Sequence, residues 1–420
     1  MLSVSRGVAV APPISPVPQP TNLARLSHLL AYSQALGLES LLALPKRGIP
    51  SLALSLLWLV LAWRGSGRPD HLRHCDEPLL AALIGRAQLP DPETLRRALG
   101  YFPTRAVRAA VEASYRAELP RRPGRIWVAL DAHQVPYWGR GKLERFQRGW
   151  SGSHSRRLRG YRLYLAVDTD TGQVITFLVA RGRARDHTLA ALLARHLRRH
   201  LRRLLGRRLA GLVADCGFTS RAAVAGLLAS GVPFILGFAR SAPIRARLAQ
   251  LSGQQRRWLR QGGAVRLGGC PWDERLQLFA LGARSPTDRR GPWVYVTSIQ
   301  GLGPQALART YRQRWRVEQA IEELKNGNDL DHLVSYRLHP NQVAIGFRLL
   351  ARNLAINLQI AEAGARPRPI IEPRAFCAAH VEGLGTFVSH HQTIRLSPLR
   401  PMAADAYRLP WSGLTVTIAA

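Results

Sequence analysis

From Arg125 onward the apolar residues of this chain stop recurring at helical spacing and gather into short extended runs, which limits what it can fold into. Arg125–Leu130 (RIWVAL) is a β-branched and aromatic run that leads into Asp131. Tyr161–Val167 and Gln173–Ala180 flank the turn DTDTG, a hairpin signal. Residues 187–207 predict a helix with Leu193, Leu197, Leu201 and Leu204 on one side and arginines on the other. Leu209–Ala214 (LAGLVA) reads as a buried strand that delivers Asp215, followed by CGFTS and a short helix. Val232–Phe238 (VPFILGF) makes a fifth strand. Residues 240–292 turn irregular and polar, with short strands expected at 264–268 and 276–281, and read as a mainly-β insertion. Trp293–Ile299 (WVYVTSI) then returns as a strand. The succession is that of an α/β domain spanning about 121–365.

After that strand comes Tyr311–Lys325, YRQRWRVEQAIEELK, which contains no Pro or Gly and predicts one helix. At about 100° per residue, Tyr311, Arg314, Glu318 and Lys325 fall within an arc of roughly 60°. One face therefore carries a phenol, a guanidinium, a carboxylate and an ammonium, while Val317, Ala320, Ile321 and Leu324 form an apolar stripe beside it. As a helix stabiliser an Arg314–Glu318 pair runs in the less favourable order.

Charge narrows the partner. The 420 residues hold 60 Lys+Arg against 26 Asp+Glu, a formal charge of +34. Such a field attracts polyanions, nucleic acid first among them. Arginine bias explains Arg in place of Lys but not the excess of cations over anions. Lys46, Lys142 and Lys325 are the three lysines. Finding one of them on this helical face suggests a task for a compact point charge on a single phosphate.

The spacing Tyr-x2-Arg-x3-Glu-x6-Lys resembles the signature of the large insertion-sequence class of DDE transposases. The similarity extends over roughly 125–362. LDAHQVPYWG around Asp131 looks like the family's first-aspartate motif, and ADCGF around Asp215 like the second, with Cys216 where the family often has arginine. The resemblance implies a ribonuclease-H-like core in which the ends of the first and fourth strands are neighbours and a late helix adds a third carboxylate. Asp131, Asp215 and Glu318 are then the catalytic and metal-binding set. Three carboxylates on a rigid scaffold suit hard divalent cations, Mg²⁺ or Mn²⁺, and two such ions serve phosphodiester displacement. Tyr311, Arg314 and Lys325 would hold phosphates beside the scissile bond. Trp293 matches a tryptophan that stacks on a flipped base in relatives, and reads equally well as a core residue of a buried strand. Asp168 and Asp170 read as turn residues, Glu322 as a geometric rival to Glu318, and His133 as lying on the opposite side of the chain from Asp131.

The remaining stretches are less specific. Residues 1–22 carry five prolines, which exclude a helix or a central strand, and read as a disordered arm. Residues 23–120 are helical, with an Asp91 cap and Pro92 opening one helix and Thr104 opening another. These paired helices suit a helix-turn-helix reader of DNA ends and plain helical packing equally well. Ser51–Trp63 is too short to span a bilayer and reads as a core helix. Residues 341–362 form one more amphipathic helix, and 366–420 a tail without a functional reading. Scattered cysteines and the lack of a signal peptide suggest a cytoplasmic protein away from membranes, and the resemblance implies a bacterial, nucleoid-associated one. The expected function is cut-and-paste transposition by a homodimer that holds double-stranded element ends and target in a synaptic complex. A catalytically inactive or domesticated DNA-binding descendant is the second reading.

Overall fold

The computed structural model describes residues 15–26, 30, 33–34, 36–44, 48–75, 78–119, 124–151, 155–180, 196, 199, 209–282, 292–363, 373–390, 393–398, 405–409 and 414–418. They fall into two compact units, each woven from separate stretches. One comprises Leu119–Gln134 and Arg162–Ala320; the other comprises Met1–Glu118, Val135–Tyr161 and Ile321–Ala420. The expected helix at 187–207 lies outside the described residues, apart from His196 and Arg199.

The first unit is built on a sheet, its strands numbered here in chain order. These are β2 (Ile126–Pro136), β4 (Arg156–Asp168), β5 (Val174–Val179), β6 (Leu209–Ala214), β7 (Phe234–Phe238), β8 (Ala264–Cys270), β9 (Asp273–Leu281) and β10 (Trp293–Thr297). Their order is β5–β4–β2–β6–β7–β10–β9–β8. The three middle strands β2, β6 and β7 run parallel. Their residues Val128, Leu212, Val213, Phe234 and Ile235 are fully buried, as the continuous apolar runs of a covered parallel sheet require. The β4–β5 hairpin and the β10–β9–β8 extension are antiparallel. This is a ribonuclease-H-like core with three strands added beyond its fifth.

Two readings of this unit need correction. The first strand does not end at Asp131 but stays extended to Pro136, although its ladder with β6 stops at Leu130. Side chains two apart on a strand share a face, so His133 lies on the same side as Asp131. Residues 240–292 hold two helices, Ala242–Ala249 and Gly253–Arg260, as well as two strands. The second opens with a reciprocal capping box, Ser252 and Gln255 each accepting from the other's backbone N–H. Leu251, Leu259, Val265 and Ala280 close a small core there, and β8 and β9 join the main sheet through β10.

The second unit centres on the helix Leu338–Ala363, which packs against Ser51–Trp63 and Thr104–Glu118. Every residue of Ser51–Trp63 except Leu52 is buried. Buried polar groups pin these helices: Trp63 Nε1 donates to the Ala351 carbonyl at 2.9 Å, and Asn357 Nδ2 to that of Ser114 at 2.8 Å. Val107, Ala110, Val111 and Tyr115 are fully buried, so packing accounts for the apolar face of Thr104–Glu118. Asp91 caps the helix Pro92–Ala98. Among the described residues no helix is long and apolar enough to cross a membrane.

Of the Pro-rich arm read at 1–22, residues 1–14 lie outside the described residues, and the described stretches at both ends form strands. β1 (Ser15–Thr21) pairs antiparallel with β11 (Gly385–His390). β11, β12 (Thr393–Pro398), β14 (Thr415–Ile418) and β13 (Asp405–Arg408) continue a five-stranded sheet in that order. The prolines exclude a central strand, and β1 takes an edge, where one row of backbone groups needs no partner. β3 (Gln147–Ser151) pairs with the first half of β4.

Candidate active site

The sheet register brings the two aspartates side by side. Leu130 on β2 is the parallel partner of Ala214 on β6, so Asp131 and Asp215 are the next residues along neighbouring strands, roughly 4.8 Å apart in backbone spacing. Asp215 leaves the strand and caps a single turn, Cys216–Phe218, its Oδ1 accepting from Gly217 N at 3.0 Å. Gly237 on β7 makes room for that turn: a Cβ there would lie 2.7 Å from the Cys216 nitrogen. Thr219 Oγ1 donates to the Gly237 carbonyl at 2.6 Å and ties the two segments together. The sequence reading missed Gly237, although a lone glycine inside a strand run signals close backbone approach.

The late helix supplies the remaining groups, but not as one unbroken element. It consists of Pro304–Arg312 and Trp315–Asn328, separated at Gln313 and Arg314. Arg314, Arg316 and Val317 donate their N–H groups three residues back, so the chain tightens into 3₁₀ geometry. No helix breaker is present, and the break accompanies the inward turn of Arg314. Its Nη1 lies 3.6 Å from Asp131 Oδ2, while Nη2 bonds Glu318 Oε1. The guanidinium also sits 5.7 Å from the Tyr311 ring centroid, and Tyr311 packs on Tyr295 with centroids 4.1 Å apart. Tyr295, unremarked in the sequence, thus supports Tyr311 from β10.

Topology sets Trp293 at the same end of the sheet. β10 runs antiparallel to β7 with Val294 opposite Phe238, so the start of β10 lies at the carboxyl ends of β6 and β7. Trp293 is 41% exposed there, which removes the reading of it as a core residue. Lys325, two turns beyond Glu318 on the same helix, pairs with Glu322 at 2.9 Å. Asp168 accepts from Asp170 N and Thr171 N, as its turn role requires.

The sequence profile of the family described as "Transposase DDE domain" matches residues 122–354, more than half of the chain. The chain belongs to that transposase family. The match begins before Asp131 and ends after Lys325, so every candidate residue lies within it. A cryo-EM structure of the piggyBac transposase synaptic complex with hairpin DNA is similar at 15% identity and a TM-score of 0.47, covering 78% of this chain and 69% of that one. No curated protein matches. Transposases of the DDE type generally work with divalent metal ions.

The electrostatics of this transposase site bear on that requirement. Burial, opposed by Arg314 and reinforced by Asp215 and Glu318, pushes Asp131 up to about 6. Burial also drives the Tyr311 phenol up to about 12, keeping it a neutral donor. Burial pulls on Arg314 in the opposite sense, yet Tyr311, Glu318 and Asp131 together hold it charged. Among the described residues no three of His, Cys, Asp and Glu stand close enough to hold an ion in this arrangement. The Arg314 guanidinium lies between Asp131 and Glu318 instead. The donor chemistry nevertheless fits a hard cation. The ligands would be carboxylate oxygens, the donors such a cation takes, and Asp215 and Glu318 each add to the burial that raises Asp131. Cys216, at the family's common arginine position, is an exposed thiol.

Proposed function

We propose that this transposase cleaves DNA at the ends of its insertion sequence and joins the released 3′ ends to target DNA, in cut-and-paste fashion. The observation that carries the proposal is the register of Leu130 and Ala214, which sets Asp131 beside Asp215, together with the Arg314 bridge from Asp131 to Glu318. Asp131, Asp215 and Glu318 would bind the divalent ions, Mg²⁺ or Mn²⁺, that lower the barrier for an oxygen nucleophile and its leaving group. Arg314, freed from the carboxylates, would turn to a phosphate beside the scissile bond. Tyr311 would donate its phenolic hydrogen to another, and Lys325 would hold a third. Trp293, exposed at the same sheet end as the aspartates, would stack on an extruded base. Water attacks the phosphodiester at the element end and displaces a 3′-hydroxyl, which then attacks a target phosphodiester and displaces its 3′ oxygen. The partners would be double-stranded element ends and target, held by a homodimer in a synaptic complex, with residues 23–120 contributing to end recognition.

The test uses purified protein, Mg²⁺, a labelled duplex ending in the element's own terminal repeat, and plasmid target. Cleavage at the repeat end and joining to plasmid are expected, both lost in Glu318→Gln while binding at fixed salt persists. Tight binding without cleavage by either protein would replace this reading with a DNA-binding one.

A further inference from the structure

A second surface, in the unit built around Leu338–Ala363, joins aromatic rings to positive charge. The loop after β2 begins Tyr137-Trp138-Gly139, and Trp138 is 53% exposed. Arg156 sits 5.8 Å above the Trp138 ring and Arg159 5.7 Å above Tyr137. Tyr336, 59% exposed, meets Tyr137 edge-on with centroids 6.1 Å apart. These rings line one wall of a cleft of about 610 Å³, whose other residues include Arg68, Arg96 and His332.

The platform is built. Glu144 N donates to the Tyr336 carbonyl at 2.8 Å, and Glu144 Oε2 accepts from Leu338 N at 3.0 Å, locking the two loops together. Tyr161 donates its hydroxyl to the Glu144 carbonyl at 2.7 Å. Asn341, almost fully buried, accepts from Val334 N and donates to the carbonyls of Ser335 and Arg337. A Cβ on Gly141 would lie 2.8 Å from the Tyr336 ring, so the loop passes close beside that side chain. Charge is one-sided: residues 137–159 hold Arg140, Lys142, Arg145, Arg148, Arg156, Arg157 and Arg159 against the single carboxylate Glu144, which is spent on the loop itself. Asp70 and Glu93, which also line the cleft, are both paired with Arg96.

We propose that this cleft takes an unpaired nucleotide of a DNA strand, its base stacked on Trp138 and Tyr336 and its phosphates held by Arg156 and Arg159. Exposed rings flanked by guanidinium groups are the combination that binds single strands regardless of sequence, whereas duplex DNA hides its base faces. The assignment rests on the DNA-processing reading and adds a site built from other residues than the carboxylates. It would favour ends whose terminal pairs are open.

The experiment measures fluorescence anisotropy with the full chain in EDTA, so that binding is read without cleavage. The probes are one blunt duplex and the same duplex with a short unpaired tail. Wild type should prefer the tailed probe by about fivefold or more per stacked base. Trp138→Ala and Tyr336→Ala should each erase most of that preference and leave blunt-duplex affinity in place, while Trp138→Phe retains it. Arg156→Gln should lower the salt dependence by about one phosphate contact. Equal affinity of wild type for the two probes, or a preference untouched by both alanine variants, overturns the cleft assignment alone. Failure to bind either probe at low salt overturns the DNA reading on which it rests.

Discussion

Arg314 places positive charge between two carboxylates. It links Asp131 to Glu318 across the gap between a strand and a helix. Replacing it with Gln leaves both carboxylates without that partner, and thermal melts in EDTA should show a loss of roughly 2 kcal/mol. The same variant should gain more from Mg²⁺ than wild type does, because the competing cation is gone. A smaller Mg²⁺ response in Arg314→Gln would sink this view of the residue. Asp131 makes the companion case. Its folded pKa near 6 lies above the unfolded value, so the stabilisation from its protonation is complete below about pH 4 and lost as the pH rises through 6. Asp131→Asn should remove that dependence and be up to about 3 kcal/mol more stable than metal-free wild type at pH 8. Melting both proteins at pH 5 and pH 8 checks the sign. That Asp131 follows an apolar strand run and Glu318 sits on a late helix face could be read from period and spacing, although the strand continues past Asp131 to Pro136. That Arg314 points at them was not legible, since the direction of a long side chain depends on what packs around it.

At the scale of elements, the apolar runs named the strands of the central sheet, several within a residue or two of their bounds, except β3, Gln147–Ser151, and the first half of β4 with which it pairs. What else escaped was governed by contacts distant in sequence. The stretch Tyr311–Lys325 holds only tolerable helix residues, yet it tightens and divides at Gln313 and Arg314 beside the site. The helix at Gly253–Arg260 did carry a local mark, Ser252 followed three residues later by Gln255, but the polar surroundings masked it. β1 could not be foreseen from its own residues, because its partner Gly385–His390 lies some 370 positions away. It covers the edge of β11, and an uncovered edge invites pairing with another chain. Deleting residues 1–21 should therefore lower the melting temperature and produce concentration-dependent association in light scattering. An unchanged melt and a monodisperse solution would show that β1 adds nothing.

For the whole molecule, a charge of +34 governs how it meets its partner. Binding to duplex DNA should weaken by about a thousandfold or more between 50 and 200 mM salt if six or more phosphates are neutralised. A log–log plot with a shallow slope would mean that the excess charge lies elsewhere than at the interface. The five-stranded sheet has a different consequence, one of time. β1 is synthesised near the start of the chain and its partner near the end. At 5 to 20 residues per second, some 20 to 70 seconds separate the two, on the order of a minute in which this edge waits on the ribosome. The ribonuclease-H-like strands are all made in between, so that core can form before the sheet that joins the two terminal stretches is closed.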